Sequence, residues 1–207
     1  MAVVLDGSGQ VVDGDRILGV LALERLGRDG ASAGDPAVGT LVVSVLSNGG
    51  LQQAVEAAGG TVVRTPVGDK YILEGMQVEG AGLGGEKSGH VIVREHTTSG
   101  DGLVTALEVL RVTTAARRPL AELAEQIPLL PQEQRAVIVR HKEQWEGDPA
   151  LQRAIADAEA RLGSGGRMLV RPSGTEPALR VMVEGSDREL VRELADGLSA
   201  LAEQRLH

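Results

Sequence analysis

TLVVSVLSNGGLQQAVEAAGGTVVRT, residues 40–65, decides the fold. TLVVSVLS (40–47) is a continuous, largely apolar run of strand length, which suits a strand buried on both faces. LQQAVEAAG (51–59) has helical spacing and ends on glycine, and TVVRT (61–65) is a second short strand. Strand, helix and strand in that order predict an α/β unit with a partly parallel sheet.

The same alternation extends outward on both sides. VVLDGSGQVV (3–12) reads as strand, turn and strand, with Asp6-Gly7 supplying the turn. Asp13 is an N-cap for a helix that runs to Gly27, and residues 27–39, rich in Gly, Asp and Ala, read as a loop. YILEGMQVEG (71–80) is a helix, AGLGGEKSGHVIVRE a glycine-rich approach to a strand, and Asp101 opens a helix to about Val112. A break is predicted at VTTAARRP (112–119).

Beyond the break, PLAELAEQI is a short amphipathic helix and Pro128–Pro131 a linker. RAVIVRH (135–141) is a strand, and DPALQRAIADAEARLG (148–163) is a helix with Asp148 as cap and Pro149 at its first position. MLVR and ALRVMVE pair as strands before a closing amphipathic helix, 187–206. The fold class is therefore α/β plus α+β, a mixed βα sheet (1–112) followed by a small β-α-β-β-α domain (118–207).

Composition narrows the function. Among 207 residues there are one Trp, one Tyr, no Phe and no Cys, so aliphatic side chains must fill the core and thiolate metal sites and disulfides are excluded. A net charge of −8 argues against a nucleic-acid surface, which needs a basic field, but not against a local pocket for a small anion. No apolar run approaches a membrane span, and MAVVLDGSGQ lacks the basic and apolar regions of a signal peptide; the expectation is a cytoplasmic protein that binds neither nucleic acid nor membrane.

Four stretches carry candidate chemistry. RPSGTEP (171–177) joins two strands and contains two hydroxyls and a glycine, with Arg171 before it and Arg180 after it. Backbone N–H groups around the glycine, the hydroxyls and the guanidiniums suit an oxyanion such as phosphate; the alternative is a solvated hairpin loop. Leu179, Val181 and Val183 share one strand face, so Arg180 points the other way. In GGEKSGH (84–90), read as extended chain, Glu86, Ser88 and His90 line one face and Lys87 the other. Glu86 could accept from two sugar hydroxyls, and His90 could act as acid or base; the alternative is a glycine-rich turn. RTPVGDK (64–70) is a basic and polar loop, weak evidence alone. Asp13-Gly14-Asp15-Arg16 has carboxylates suited to Mg²⁺, but its place at a helix start favours capping.

Taken together, GQVVDGDRIL, RTPVGDKYILEGM, LGGEKSGHVIVREHTTSGDGLVTALEVL and LVRPSGTEPALRVMVEG resemble the α-D-phosphohexomutase family, in order and across nearly the whole chain. VGDKY with GGEKSGH and TTSGDG resembles the glucosamine branch more than the glucose and mannose branches. The resemblance implies the third and fourth domains of a four-domain enzyme. It implies sugar binding by Glu86 and Ser88, His90 near the reacting end, sugar selection by Gly68, Asp69 and Lys70, and phosphate binding by Arg171, Ser173, Gly174, Thr175 and, less directly, Arg180.

The implied reaction moves phosphate between the 6- and 1-positions of glucosamine through a phosphoserine and a 1,6-bisphosphate. The family's phosphoserine lies in the first domain, and its Mg²⁺ loop precedes the stretch matching VVLDG. Neither is among these residues, so the expectation is a C-terminal half whose partners are a sugar phosphate and an N-terminal half, with Mg²⁺ ligands only in the complete enzyme. A fragment of a phosphomannomutase or phosphoglucomutase, or a sugar-phosphate binding module without catalysis, are the alternatives.

Overall fold

A computed structural model describes residues 1–28 and 34–207, in two compact units, Met1–Leu129 and Leu130–His207. The first unit opens with the antiparallel pair β1 (Val4–Leu5) and β2 (Val11–Val12). Asp6 closes the turn between them, its Oδ1 accepting the N–H groups of Ser8 (2.8 Å) and Gln10 (2.9 Å). Helix α1 (Gly14–Leu26) follows, with Asp13 accepting from the Arg16 N–H at 3.0 Å as its cap.

Part of the loop expected at 27–39 falls on residues 29–33, outside the described residues, and its end is helical: α2 (Pro36–Gly39) is one turn capped by Asp35. One turn is too short to show a helical period in sequence, so only the Asp-Pro start could have marked it.

Strand β3 (Thr40–Ser44), helix α3 (Gly49–Ala57), strand β4 (Thr61–Thr65), helix α4 (Asp69–Glu79) and strands β5 (Leu83–Gly85) and β6 (Val91–Val93) build a sheet of order β4-β3-β5-β6. β3 is parallel to β4 and β5, and β6 runs antiparallel to β5. The apolar run at 40–47 thus stops as a strand at Ser44, and β5 is a strand inside what reads as a glycine-rich approach.

β3 explains the unbroken apolar pattern. Leu41 and Val43 pack with Ile17, Leu18 and Leu21 of α1 and Leu51 and Val55 of α3, while Val42 packs with Ile72 and Met76 of α4 on the other side. A strand covered on both faces needs no polar alternation. Helices α5 (Gly102–Ala116, capped by Asp101) and α6 (Leu120–Ala124) complete the larger core through Val109, Val112, Leu123 and Ala124.

The break expected at 112–119 is therefore corrected to Leu129/Leu130, within the Pro128–Pro131 segment. Thr113 to Ala116 look like a linker by polarity, but they continue α5, and Arg117 closes it in the left-handed conformation. Ile127 then belongs to the first core and fills the space left by Gly19, where a Cβ would lie 2.4 Å from its Cδ1.

The second unit follows the expected β-α-β-β-α order: β7 (Gln132–Ile138), α7 (Pro149–Leu162), β8 (Gly166–Pro172), β9 (Ala178–Gly185) and α8 (Arg188–Leu206), with a 3-10 turn at Lys142–Gly147. β9 lies between β7 and β8, antiparallel to both. Val181 and Val183 of β9 pack with Val191, Leu194 and Leu198 of α8. No helix among the described residues is long and apolar enough to cross a membrane.

Candidate functional site

In the first unit the candidate loops follow the C-terminal ends of β4 and β5, the usual place for ligands in an open α/β sheet. The VGD loop ends with Gly68 as the N-cap of α4, at φ 131°, a conformation that favours glycine. Its N–H donates to Glu86 Oε1 at 3.0 Å. The next residue, Asp69, places Oδ1 3.4 Å from Nε2 of His90. The structure therefore brings Gly68, Asp69, Glu86 and His90 together. Lys70 is not part of this group: its Nζ lies 3.7 Å from Glu74 Oε1, one turn along α4.

The extended reading of 86–90 is corrected. These residues turn from β5 into antiparallel β6, with the Glu86 N–H donating to His90 O at 2.9 Å and the Gly89 N–H to Glu86 O at 3.0 Å. Gly89 has φ +88°, so a tight reversal replaces strand alternation. Glu86 and His90 stand at the base of the turn, and Ser88 is exposed at its tip. Gly100, from the stretch TTSGDG, lies against the His90 ring: a Cβ there would fall 2.2 Å from Cε1 and Nε2. Sequence reading did not single out Gly100.

Asp13 and Asp15 serve the scaffold. Asp13 caps α1, and Asp15, buried, accepts the Asn48 N–H at 2.9 Å and so ties α1 to the start of α3. Burial, opposed by that bond, pushes the Asp15 carboxyl up to about 6. A raised carboxyl favours folding most below about pH 4, its unfolded range, and the contribution is lost as pH rises through about 6. Asp15→Asn should therefore gain on the wild type by up to about 3 kcal/mol between pH 4 and pH 7.5. Urea denaturation at several pH values checks this; parallel stability curves for the two proteins would contradict it.

In the second unit the register of β8 and β9 sets Arg171 directly opposite Arg180. Like charges so placed are unfavourable in a bare sheet. Arg171 is half-buried, its Nε has no hydrogen-bond partner among the described residues, and burial, then Arg180, pulls its pKa below the ordinary arginine value. As expected, Arg180 is half-buried while Leu179, Val181 and Val183 are buried.

Between the strands Ser173 is buried, and Gly174 and Thr175 are exposed, with open space around Gly174. The Ser173 N–H donates to Ala178 O at 2.8 Å, so it is not available to the nest that the sequence suggested. Sequence reading also missed Lys142: its Nζ donates to the carbonyls of Ser173 (2.5 Å) and Glu176 (2.9 Å), fixing the loop from beneath. No local pattern marks Lys142, which is distant in sequence. The β8–β9 loop thus brings two arginines, a buried serine and open space beside a glycine into one stretch.

The profile of the phosphoglucomutase/phosphomannomutase alpha/beta/alpha domain III matches residues 13–130, and that of the same family's C-terminal domain matches residues 136–201. A phosphoglucosamine mutase of Moorella thermoacetica is 50% identical over 200 residues, covering 97% of this chain and 44% of that protein. One from Frankia alni is 46% identical over 202 residues, covering 98% and 43%. The chain thus spans less than half the length of these curated relatives. Among solved structures, Aspergillus fumigatus N-acetylphosphoglucosamine mutase in complex with GlcNAc-6P and magnesium has a similar fold, with a TM-score of 0.81 at 22% identity over 98% of this chain and 46% of that one.

Proposed function

Because the chain belongs to the phosphoglucomutase/phosphomannomutase family, we propose that it supplies the sugar- and phosphate-binding part of a phosphoglucosamine mutase. The complete enzyme would interconvert glucosamine 6-phosphate and glucosamine 1-phosphate through a phosphoserine and a 1,6-bisphosphate. The observation that carries the phosphate half of this reading is the cross-strand pair Arg171 and Arg180 beside the buried Ser173. Like charges directly across two strands are unfavourable unless an anion neutralises them, and Glu176 reaches Arg180, which leaves Arg171 for a further anion.

In this reading Arg171, Ser173, Gly174, Thr175 and Arg180 grip the phosphate that is not reacting. Glu86 accepts from sugar hydroxyls, helped by Ser88, while Gly68 and Asp69 select the sugar. His90, beside Asp69, holds or releases a proton at Nε2 near the reacting end. Mg²⁺ in the complete enzyme would neutralise charge on the transferring phosphoryl group. The residues here do not fit it: Asp13 and Asp15 are engaged by backbone N–H groups, and no cluster of three metal-ligating side chains occurs among the described residues. The partner would be an N-terminal half that carries the phosphoserine and the metal ligands, acting in the cytoplasm.

The test is complementation. This chain should convert no glucosamine 6-phosphate alone, and should do so when mixed with the separately expressed N-terminal half of a phosphoglucosamine mutase. Turnover by the pure chain, or preferred turnover of mannose or glucose phosphates by the mixture, would sink the proposal.

A further inference from the structure

The loop assigned to phosphate already contains an anion of its own. Oε2 of Glu176 accepts from Arg180 Nη2 at 2.5 Å and from the Ser173 hydroxyl at 3.4 Å. Both donors belong to the set assigned to phosphate. A serine hydroxyl has a single proton to donate, so Ser173 cannot serve Glu176 and a phosphate oxygen at once. The carboxylate and a bound phosphate therefore compete for the same donors.

The Glu176 side chain is also built to leave. The side chain is 51% exposed, and exposed ion pairs of this kind are weak. Its backbone is held independently, through the Lys142 bond to its carbonyl, so the side chain can turn to water without disturbing the loop. Arg171 is not fully satisfied in this arrangement, because its Nε keeps no hydrogen bond among the described residues. Glu176 thus neutralises one guanidinium and leaves the other for an incoming anion.

We infer that Glu176 is the internal counter-anion of this loop, displaced when phosphate binds and returning to Ser173 and Arg180 when phosphate leaves. The inference rests on the phosphate reading above and gives it a property that gripping alone does not supply. A loop that holds one phosphate of a bisphosphate, releases it and then holds the other must not bind too tightly. A carboxylate that takes over the vacated donors stabilises the empty state and hastens release. The opposite role, in which Glu176 orients Arg180 toward phosphate, predicts an effect of opposite sign.

The experiment titrates inorganic phosphate into the full 207-residue chain and follows the amides of residues 171–175 by NMR. Glu176→Gln keeps the size and the backbone bond but removes the charge. It should bind phosphate about two- to fivefold more tightly than the wild type, the range given by the loss of one exposed ion pair, with a slower off-rate. In an Arg180→Ala background the same substitution should gain less, since the contested guanidinium is gone. Equal or weaker binding by Glu176→Gln, with the wild type still binding, would overturn the counter-anion role and leave the phosphate assignment standing. No perturbation of 171–175 in either protein would overturn both.

Discussion

Gly14→Ala should unseat the turn at residues 86–90 and cost the first unit of the order of 3 kcal/mol. A Cβ at Gly14 would lie 2.2 Å from Glu86 O, 2.6 Å from Gly89 N and 2.8 Å from Lys87 O. All three are backbone atoms, so no side chain can swing aside. The Gly14 N–H also donates to Lys87 O at 3.0 Å, and that bond must lengthen or break if the turn retreats. Because Glu86 and His90 flank the same turn, their contacts with Gly68 and Asp69 should loosen as well. Chemical denaturation with amide exchange across 84–90 measures both effects. Gly7→Ala is the control, since nothing among the described residues lies within 4 Å of a Cβ there, and it should change stability by less than about 0.5 kcal/mol. Equal stability of the two variants would show that the turn does not depend on close approach to α1.

Arg171→Ala should weaken binding of inorganic phosphate at least tenfold, from the millimolar range where a few charge-assisted bonds would place it, about 4 kcal/mol. The same substitution should not destabilise the empty second unit by more than its lost packing, because it relieves the repulsion with Arg180. Affinity and stability would then respond very differently, as expected of a residue kept for a ligand. Glu86→Ala, in the other unit, should leave inorganic phosphate binding unchanged. A titration that perturbs 84–90 but not 171–175 would reverse the assignment, and so would equal loss of affinity in the two variants.

Much of this fold is written locally. The caps at Asp13, Asp101 and Asp148 each satisfy N–H groups two or three residues ahead, and such bonds depend on little beyond the residues between them. The apolar run from Thr40 reads as a buried strand because β3 is covered on both faces. The family was legible because its motifs lie in loops where glycine, proline and hydroxyl residues have few substitutes.

Other features depend on residues far apart in the chain, and there the sequence was silent or misleading. Polarity at 112–119 suggested a break, yet Leu123 and Ile127 find their cavity against α1, and only packing reveals it. Alternation placed Glu86, Ser88 and His90 on one face, but the antiparallel return of β6 demands a turn and leaves Ser88 at its tip. The facing of Arg171 and Arg180 follows from the β8–β9 register, Glu86 meets Gly68 only because α4 and β5 are neighbours, and Lys142 reaches the loop only after the chain has folded back. Hydrogen bonding within a turn is fixed by the few residues that make it. Register and packing are fixed by the whole core, so tertiary structure alone decided which of the candidate side chains meet.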